Sequence, residues 1–320
     1  MARVGSRGLF GGLLLAFAVL AIATSGPRAE PGFATGASAA AGADKKSRCA
    51  THRAAFRRFR SELTLSCEGG YLLVGSNGLP NHEVMVGITR WIQQVPLPQP
   101  YGGSNVFKIP LRPHIAEEPT PTSGQNATAV AVNGVPIFNP TDGTGIYSPE
   151  HDPKLTGELD DCGGHAGGAD DYHYHYGSPC LLHELGSKGA LAGYALDGFP
   201  IYGYREPDGS KPRHLDGCNG HSSDGLGYHY HFTKDRPYTL LCYRGTPQLE
   251  GQPVTQPIRM PHGPEDVTIT AASVTAEGGR IDLSSASGPG SVAWQMTSPS
   301  CWLFTFNEPA TATELEEHCR

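Results

Sequence analysis

One pattern occurs twice in the middle of this chain, and it limits the possible folds more than any compositional figure. Asp161-Cys162-Gly163-Gly164-His165 precedes Tyr172-His173-Tyr174-His175, and Gly217-Cys218-Asn219-Gly220-His221 precedes Tyr228-His229-Tyr230-His231. Cys162 and Cys218, His165 and His221, and His173 and His229 all stand at one common offset of 56. Upstream, Asn133-Gly134-Val135-Pro136-Ile137-Phe138 recurs as Asp197-Gly198-Phe199-Pro200-Ile201-Tyr202 at an offset of 64, so the units differ by eight residues between their two motifs. Asn77-Gly78-Leu79-Pro80, which precedes Asn133 by the same offset of 56, is a fainter third copy. The domain is therefore expected to contain an internal repeat, spanning about 133–180 and 197–242.

Each copy reads as short strands. Asn-Gly or Asp-Gly between apolar runs is a hairpin signal, because both residues tolerate positive φ. Val130 to Val132 and Val135 to Phe138 supply the two arms in one copy. Tyr194 to Leu196 and Phe199 to Tyr202 supply them in the other. The Tyr-His-Tyr-His segments alternate with the period of a strand, which puts the two histidines on one face and the two tyrosines on the other. With 42 Gly and 27 Pro in 320 residues, long helices are interrupted too often for a helical bundle or coiled coil. The fold class expected is mainly β: a loop-rich domain of short strands built on the duplicated motif, stapled by disulfides, with a small C-terminal β extension.

Ten of the 14 histidines fall between His114 and His231. Two His at i and i+2 on a strand have Cβ atoms about 6–7 Å apart, close enough for both rings to reach one ion. The candidate metal ligands are His173, His175, His229 and His231, joined by His165 and His221, each eight residues before its pair. If the repeat brings the pairs together, four imidazoles converge. Asp160, Asp161, Asp170, Asp171, Asp216 and Asp224 are near enough in sequence to ligate or to orient the rings. An N- and O-rich donor set favours a divalent Zn or Cu ion. Two other readings use the same residues. The Tyr and His rings can interleave as a hydrogen-bonded core without metal, and Cys162, His165, Cys218 and His221 can form a Cys₂His₂ zinc site.

The N-terminus decides between thiolate and disulfide. Arg3 and Arg7, the apolar run Leu9 to Ala23 and the small residues Ala21-Ile22-Ala23 read as a signal peptide over 1–23. The apolar run is shorter than the ~20 residues that span a bilayer, so no stable membrane span is expected after cleavage. Residues 24–46 read as a flexible leader. Secretion or periplasmic localisation favours disulfides among the eight cysteines. Connectivity is not fixed by sequence alone. Pairing of neighbours is preferred, with Cys162–Cys180 and Cys218–Cys242 each enclosing a Tyr-His-Tyr-His strand. A net charge of −7 and the lack of a Lys/Arg stripe argue against nucleic-acid partners. Nothing in the sequence identifies a protein partner.

These motifs resemble the YHYH-domain proteins. The resemblance rests on the two Tyr-His-Tyr-His segments, on Ala131-Val132-Asn133-Gly134-Val135-Pro136 and Leu159 to His165, on Tyr194 to Gly203, and on Ser76-Asn77-Gly78-Leu79-Pro80-Asn81-His82. It covers about Tyr71 to Gly245 and implies a secreted or periplasmic domain, without implying an activity. The chain is accordingly divided into a YHYH-type domain over 47–245, a Pro-rich linker over 246–264 and a small β extension over 265–320. Within the domain, Arg48 to Leu65 has helical apolar spacing and Trp91 to Pro121 reads as a Pro-rich wrapping loop.

Three functions are open at this level. The first is an exported metal-binding protein using paired His-x-His strands. The second is a metal-dependent hydrolase of an extracellular substrate, with a metal-activated water and an aspartate such as Asp171 or Asp197 as base. The third is a disulfide-stapled structural or adhesive module without metal. No nucleophile motif accompanies the histidines, and Ser222, Ser223 and Asp224 beside His221 do not by themselves make a triad.

Overall fold

Alternation and turn chemistry, the two signals dense in this sequence, produce many short strands separated by turns and loops. The computed structural model describes residues 35–255, 257–260, 266–308 and 312–320. The expected signal peptide over 1–23 and residues 24–34 of the expected leader lie outside the described residues. Of two units, Met1–Ala41 and Gly42–Arg320, the second holds every element discussed here except the start of the first helix.

That helix, α1, spans Thr35–Ala55. It runs through 35–46, where a flexible leader was expected. Ala-rich sequence has high intrinsic helix propensity whether or not an apolar face recurs. The helix expected over Arg48 to Leu65 stops at Ala55, gives way to a 3₁₀ turn at Arg57–Phe59, and is replaced from Thr64 by a strand.

The strands, in chain order, are β1 (Thr64–Glu68), β2 (Tyr71–Gly75), β3 (Phe107–Pro110), β4 (Ile115–Pro121), β5 (Ala129–Ala131), β6 (Pro136–Ile137), β7 (Gly164–Ala166) and β8 (Tyr172–Tyr174). After helix α2 (Pro179–Glu184) come β9 (Leu191–Ala195), β10 (Pro200–Tyr202), β11 (Gly220–Ser223), β12 (Gly227–His231) and β13 (Cys242–Gly245). The C-terminal strands are β14 (Val267–Val274), β15 (Gly278–Ser285), β16 (Gly288–Ser298), β17 (Cys301–Asn307) and β18 (Glu314–Cys319). β3 and β4 lie inside the stretch expected to be a wrapping loop. β3 buries Phe107 and Ile109 in alternation, and β4 tolerates Pro119 and Pro121 because it belongs to a two-stranded ribbon with β13.

The central sheet has eight strands in the order β11-β12-β10-β9-β5-β6-β8-β7. Its two halves are the two repeats, joined by the antiparallel β5–β9 pair. The register is self-symmetric: Val130 faces Tyr194, its own counterpart in the other repeat, while Ala129 faces Ala195 and Ala131 faces Gly193. A twofold axis through the Val130–Tyr194 pair thus relates the halves. Outward from it, each half repeats the same steps. Ile137 pairs with Tyr174 as Ile201 pairs with Tyr230, both parallel. His165 then pairs with His173 as His221 pairs with His229, both antiparallel.

All four disulfides join sequence neighbours: Cys49–Cys67, Cys162–Cys180, Cys218–Cys242 and Cys301–Cys319. The expected C-terminal extension is a five-stranded antiparallel meander, β14 to β18. Its inner residues Ile269, Val292, Trp302 and Phe304 belong to the same apolar core as the central sheet. The Arg259 guanidinium, stacked on Phe304, fastens it by an ion pair with buried Asp170 at 2.8 Å. No helix among the described residues is long and apolar enough to cross a membrane.

Candidate metal centres

The face rule holds for both Tyr-His-Tyr-His strands. Tyr172 and Tyr174 turn into the core, as do Tyr228 and Tyr230, while the histidines gather on the opposite face. One arrangement on the tyrosine side recurs in each repeat. Asp160 takes backbone N–H from Cys162 and Gly164 and the Tyr172 hydroxyl at 2.8 Å. Asp216 takes Cys218, Gly220 and the Tyr228 hydroxyl, also at 2.8 Å. Each aspartate thereby anchors the Cys-x-x-His loop to the strand behind it. Burial raises the Asp160 carboxyl to about 6, against four hydrogen bonds that favour its anion. Neither aspartate reaches a histidine cluster.

The six candidate histidines do not converge on one ion. They form two clusters, His165 with His173 and His175, and His221 with His229 and His231. The β8 and β12 strands are five sheet spacings apart, about 24 Å at ~4.8 Å each. The expectation of a single four-imidazole site fails because the twofold axis passes between β5 and β9, which puts the histidine strands toward opposite ends of the sheet.

Within the first cluster, Nε2 of His175 lies 3.0 Å from that of His173 and 3.2 Å from that of His165. His173 Nδ1–H donates to the Asp171 carbonyl at 2.9 Å, and His175 Nδ1–H donates to the Asn139 carbonyl at 2.7 Å. A carbonyl only accepts, so the proton is on Nδ1 and each Nε2 presents a lone pair to the centre. Burial, reinforced by the neighbouring rings, holds His165 well below the ordinary imidazole range and brings His175 down to about 3. Phe138 stacks on His173 at 3.9 Å and fixes that ring. The cluster opens on a cleft of about 390 Å³ lined by all three histidines.

The second cluster repeats this arrangement and adds a carboxylate. Nε2 of His221 and His229 are 3.0 Å apart. His229 Nδ1–H donates to Gly227 and His231 Nδ1–H to Gly203, both at 2.9 Å. Glu206 Oε1 lies 2.8 Å from His221 Nε2 and 3.2 Å from His231 Nε2, and its Oε2 lies 3.2 Å from His229 Nε2. His229 and His231 are fully buried, and among the described residues His231 Nε2 has only this Glu206 contact, without hydrogen-bond geometry. Glu206 was missed in the sequence because it sits in the loop after β10, outside both motifs. Its signal was positional: Asp142, which precedes it by the hairpin offset of 64, is the acid at the same place in the first repeat.

Other candidates resolve differently. Asp171 lies behind His173, with Oδ2 3.4 Å from Nδ1, where it orients the ring. Asp170 is committed to Arg259, while Asp161 and Asp224 are exposed. Asp197, considered above as a base, is on the tyrosine side, fully buried and bound to the Tyr230 hydroxyl and the Gly245 N–H. The Cys₂His₂ alternative is excluded, since Cys162 and Cys218 are both in disulfides. The same bond removes Cys162 and Cys180 as ligands for neighbouring His82.

Neither the curated proteins nor the solved structures yield a match to this chain. A family model does match, over residues 106–212, a stretch that holds the first Tyr-His-Tyr-His strand and Glu206 and ends before the second strand. Over that stretch the chain is similar to the family described as YHYH protein.

Proposed function

We propose that this is an exported metal-binding protein that holds one divalent ion in each repeat, Zn²⁺ or Cu²⁺ by the chemistry of its donors. The observation that carries the reading is the arrangement of the Nε2 atoms. In the first cluster His173 and His175 both have Nδ1 fixed by a backbone carbonyl, so two buried Nε2 lone pairs face one another at 3.0 Å, and in the second cluster His229 and His231 are fixed the same way, each with Nε2 3.2 Å from a Glu206 oxygen. Ligand atoms ~2.1 Å from a common ion at angles of about 90–109° lie about 3.0–3.4 Å apart. Lone pairs held that close repel unless a cation sits between them. This argues against the structural reading, in which the rings only pack. Imidazole with carboxylate, and no thiolate, suits Zn²⁺ or Cu²⁺. Four disulfides accord with an oxidising compartment.

The test is elemental analysis of the untagged, disulfide-intact protein after equilibration with each metal. Two ions per chain are expected. The double substitution His173→Ala/His175→Ala should leave one, as should His229→Ala/His231→Ala. A wild-type protein that takes up neither ion refutes the reading.

A further inference from the structure

The two centres share three histidines but differ in the fourth donor, and the difference traces to the insertion. Glu206 covers the second cluster. Both of its carboxylate oxygens lie within 3.2 Å of Nε2 atoms, and Glu206 and His221 line a cleft of about 1020 Å³ while fully buried His229 and His231 do not. Its counterpart Asp142 is one methylene shorter. The eight extra residues of the first repeat lie between Asp142 and Asp160, which are 18 apart, whereas Glu206 and Asp216 are 10 apart. That insertion carries His151, whose Nδ1 is 2.7 Å from Asp142 Oδ2. The Thr144 N–H takes the other oxygen at 2.9 Å. Asp142 is thus pulled aside to the wall of the smaller cleft, and all three histidines of the first cluster line that cleft.

Resting on the metal-binding reading above, we propose that the two ions differ in kind. The ion in the second repeat is closed by three histidines and Glu206. The ion in the first repeat keeps an open position toward the cleft, where it exchanges a small external ligand. Three protein ligands with one open position is the arrangement of reactive sites, and four protein ligands that of structural ones. The cleft also selects the class of ligand. Asp142, Glu158 and Asp171 line it, and no Lys or Arg does among the described residues. A neutral nitrogen or oxygen donor is accommodated, including one on a molecule that is positively charged elsewhere, and a phosphate is opposed by the carboxylates.

Cobalt(II) substitution of the full-length untagged chain tests this, since the visible d–d bands report the coordination of each ion. Imidazole should shift the bands to an endpoint of one equivalent per chain, while inorganic phosphate at the same concentration leaves them unchanged. His229→Ala/His231→Ala should retain the imidazole response and His173→Ala/His175→Ala should lose it. Asp142→Glu/His151→Ala lengthens the acid and removes its partner. It should keep two cobalt ions per chain yet lose the response, while Glu206→Ala should raise the endpoint to two. Two bound cobalt ions with no imidazole response, or a response confined to the second repeat, overturns the proposal while leaving metal binding intact. Displacement by phosphate overturns the ligand class. No bound cobalt at all refutes the underlying reading instead.

Discussion

The repeat supplies one hydrogen bond in two environments, which makes a controlled measurement of what burial does to it. Tyr172 donates to Asp160 and Tyr228 to Asp216, each at 2.8 Å. Tyr172 and Asp160 are buried, at 0% and 4% exposure, whereas Tyr228 is half-buried and Asp216 is exposed. Replacing tyrosine by phenylalanine removes only the hydroxyl. At Tyr172 it leaves a buried carboxylate short of one donor, and hydrogen bonds to charged groups contribute about 1.5–3 kcal/mol. At Tyr228 water replaces the hydroxyl, and the cost falls to below about 1 kcal/mol. Tyr172→Phe should therefore destabilise the protein by about 2 kcal/mol and Tyr228→Phe by a few tenths. Urea titrations of the disulfide-intact, metal-loaded proteins at pH 7.5, compared at equal slope, give both numbers. A pH series adds a signed check. The Asp160 carboxyl is raised to about 6, so in the fold it gains its proton as the pH drops through 6. A neutral carboxyl needs the donor less, so the Tyr172→Phe deficit should shrink below pH 6. Equal losses at the two tyrosines, or a Tyr172→Phe deficit that grows on acidification, would refute this account of burial.

Removing the bridge with Cys162→Ala/Cys180→Ala reopens an 18-residue loop, which should cost about 3 kcal/mol by urea titration. It should also weaken metal uptake at the first repeat relative to the second in competition with a chromophoric chelator, because β7 and β8 lose their clamp. Without metal, stability should fall as pH drops from about 6.5 toward 3. The unfolded chain protonates His175 at its ordinary value while the fold holds it neutral down to about 3. His175→Ala should flatten that slope in chelator-treated protein. Arg259→Ala strands buried Asp170 without its partner and should cost about 3–5 kcal/mol. Limited proteolysis should then cleave near residue 260 before the central sheet.

The features legible in the sequence are those fixed by local backbone periodicity. Alternation in Tyr-His-Tyr-His placed the histidines on one face, Asn133-Gly134 and Asp197-Gly198 marked the hairpins, and cysteines flanking each strand suggested their partners. These depend on residues a few positions apart, so the chain carries them in order. The start of helix α1 and strands β3 and β4 are not legible there, because Gly and Pro nearby mask the Ala helix propensity, the alternation of Phe107 and Ile109, and the tolerance of a two-stranded ribbon for Pro119 and Pro121. What tertiary structure alone decided is which strands become neighbours. Pairing β5 with β9 about a twofold axis sends β8 and β12 toward opposite ends of one sheet, so the duplicated histidines form two clusters instead of one. The direction in which a loop carboxylate points is set by what the surrounding loop offers it. Glu206 reaches its histidines, while Asp142, at the same place in the other repeat, is held by His151 from an insertion whose length shows in the sequence but whose path does not.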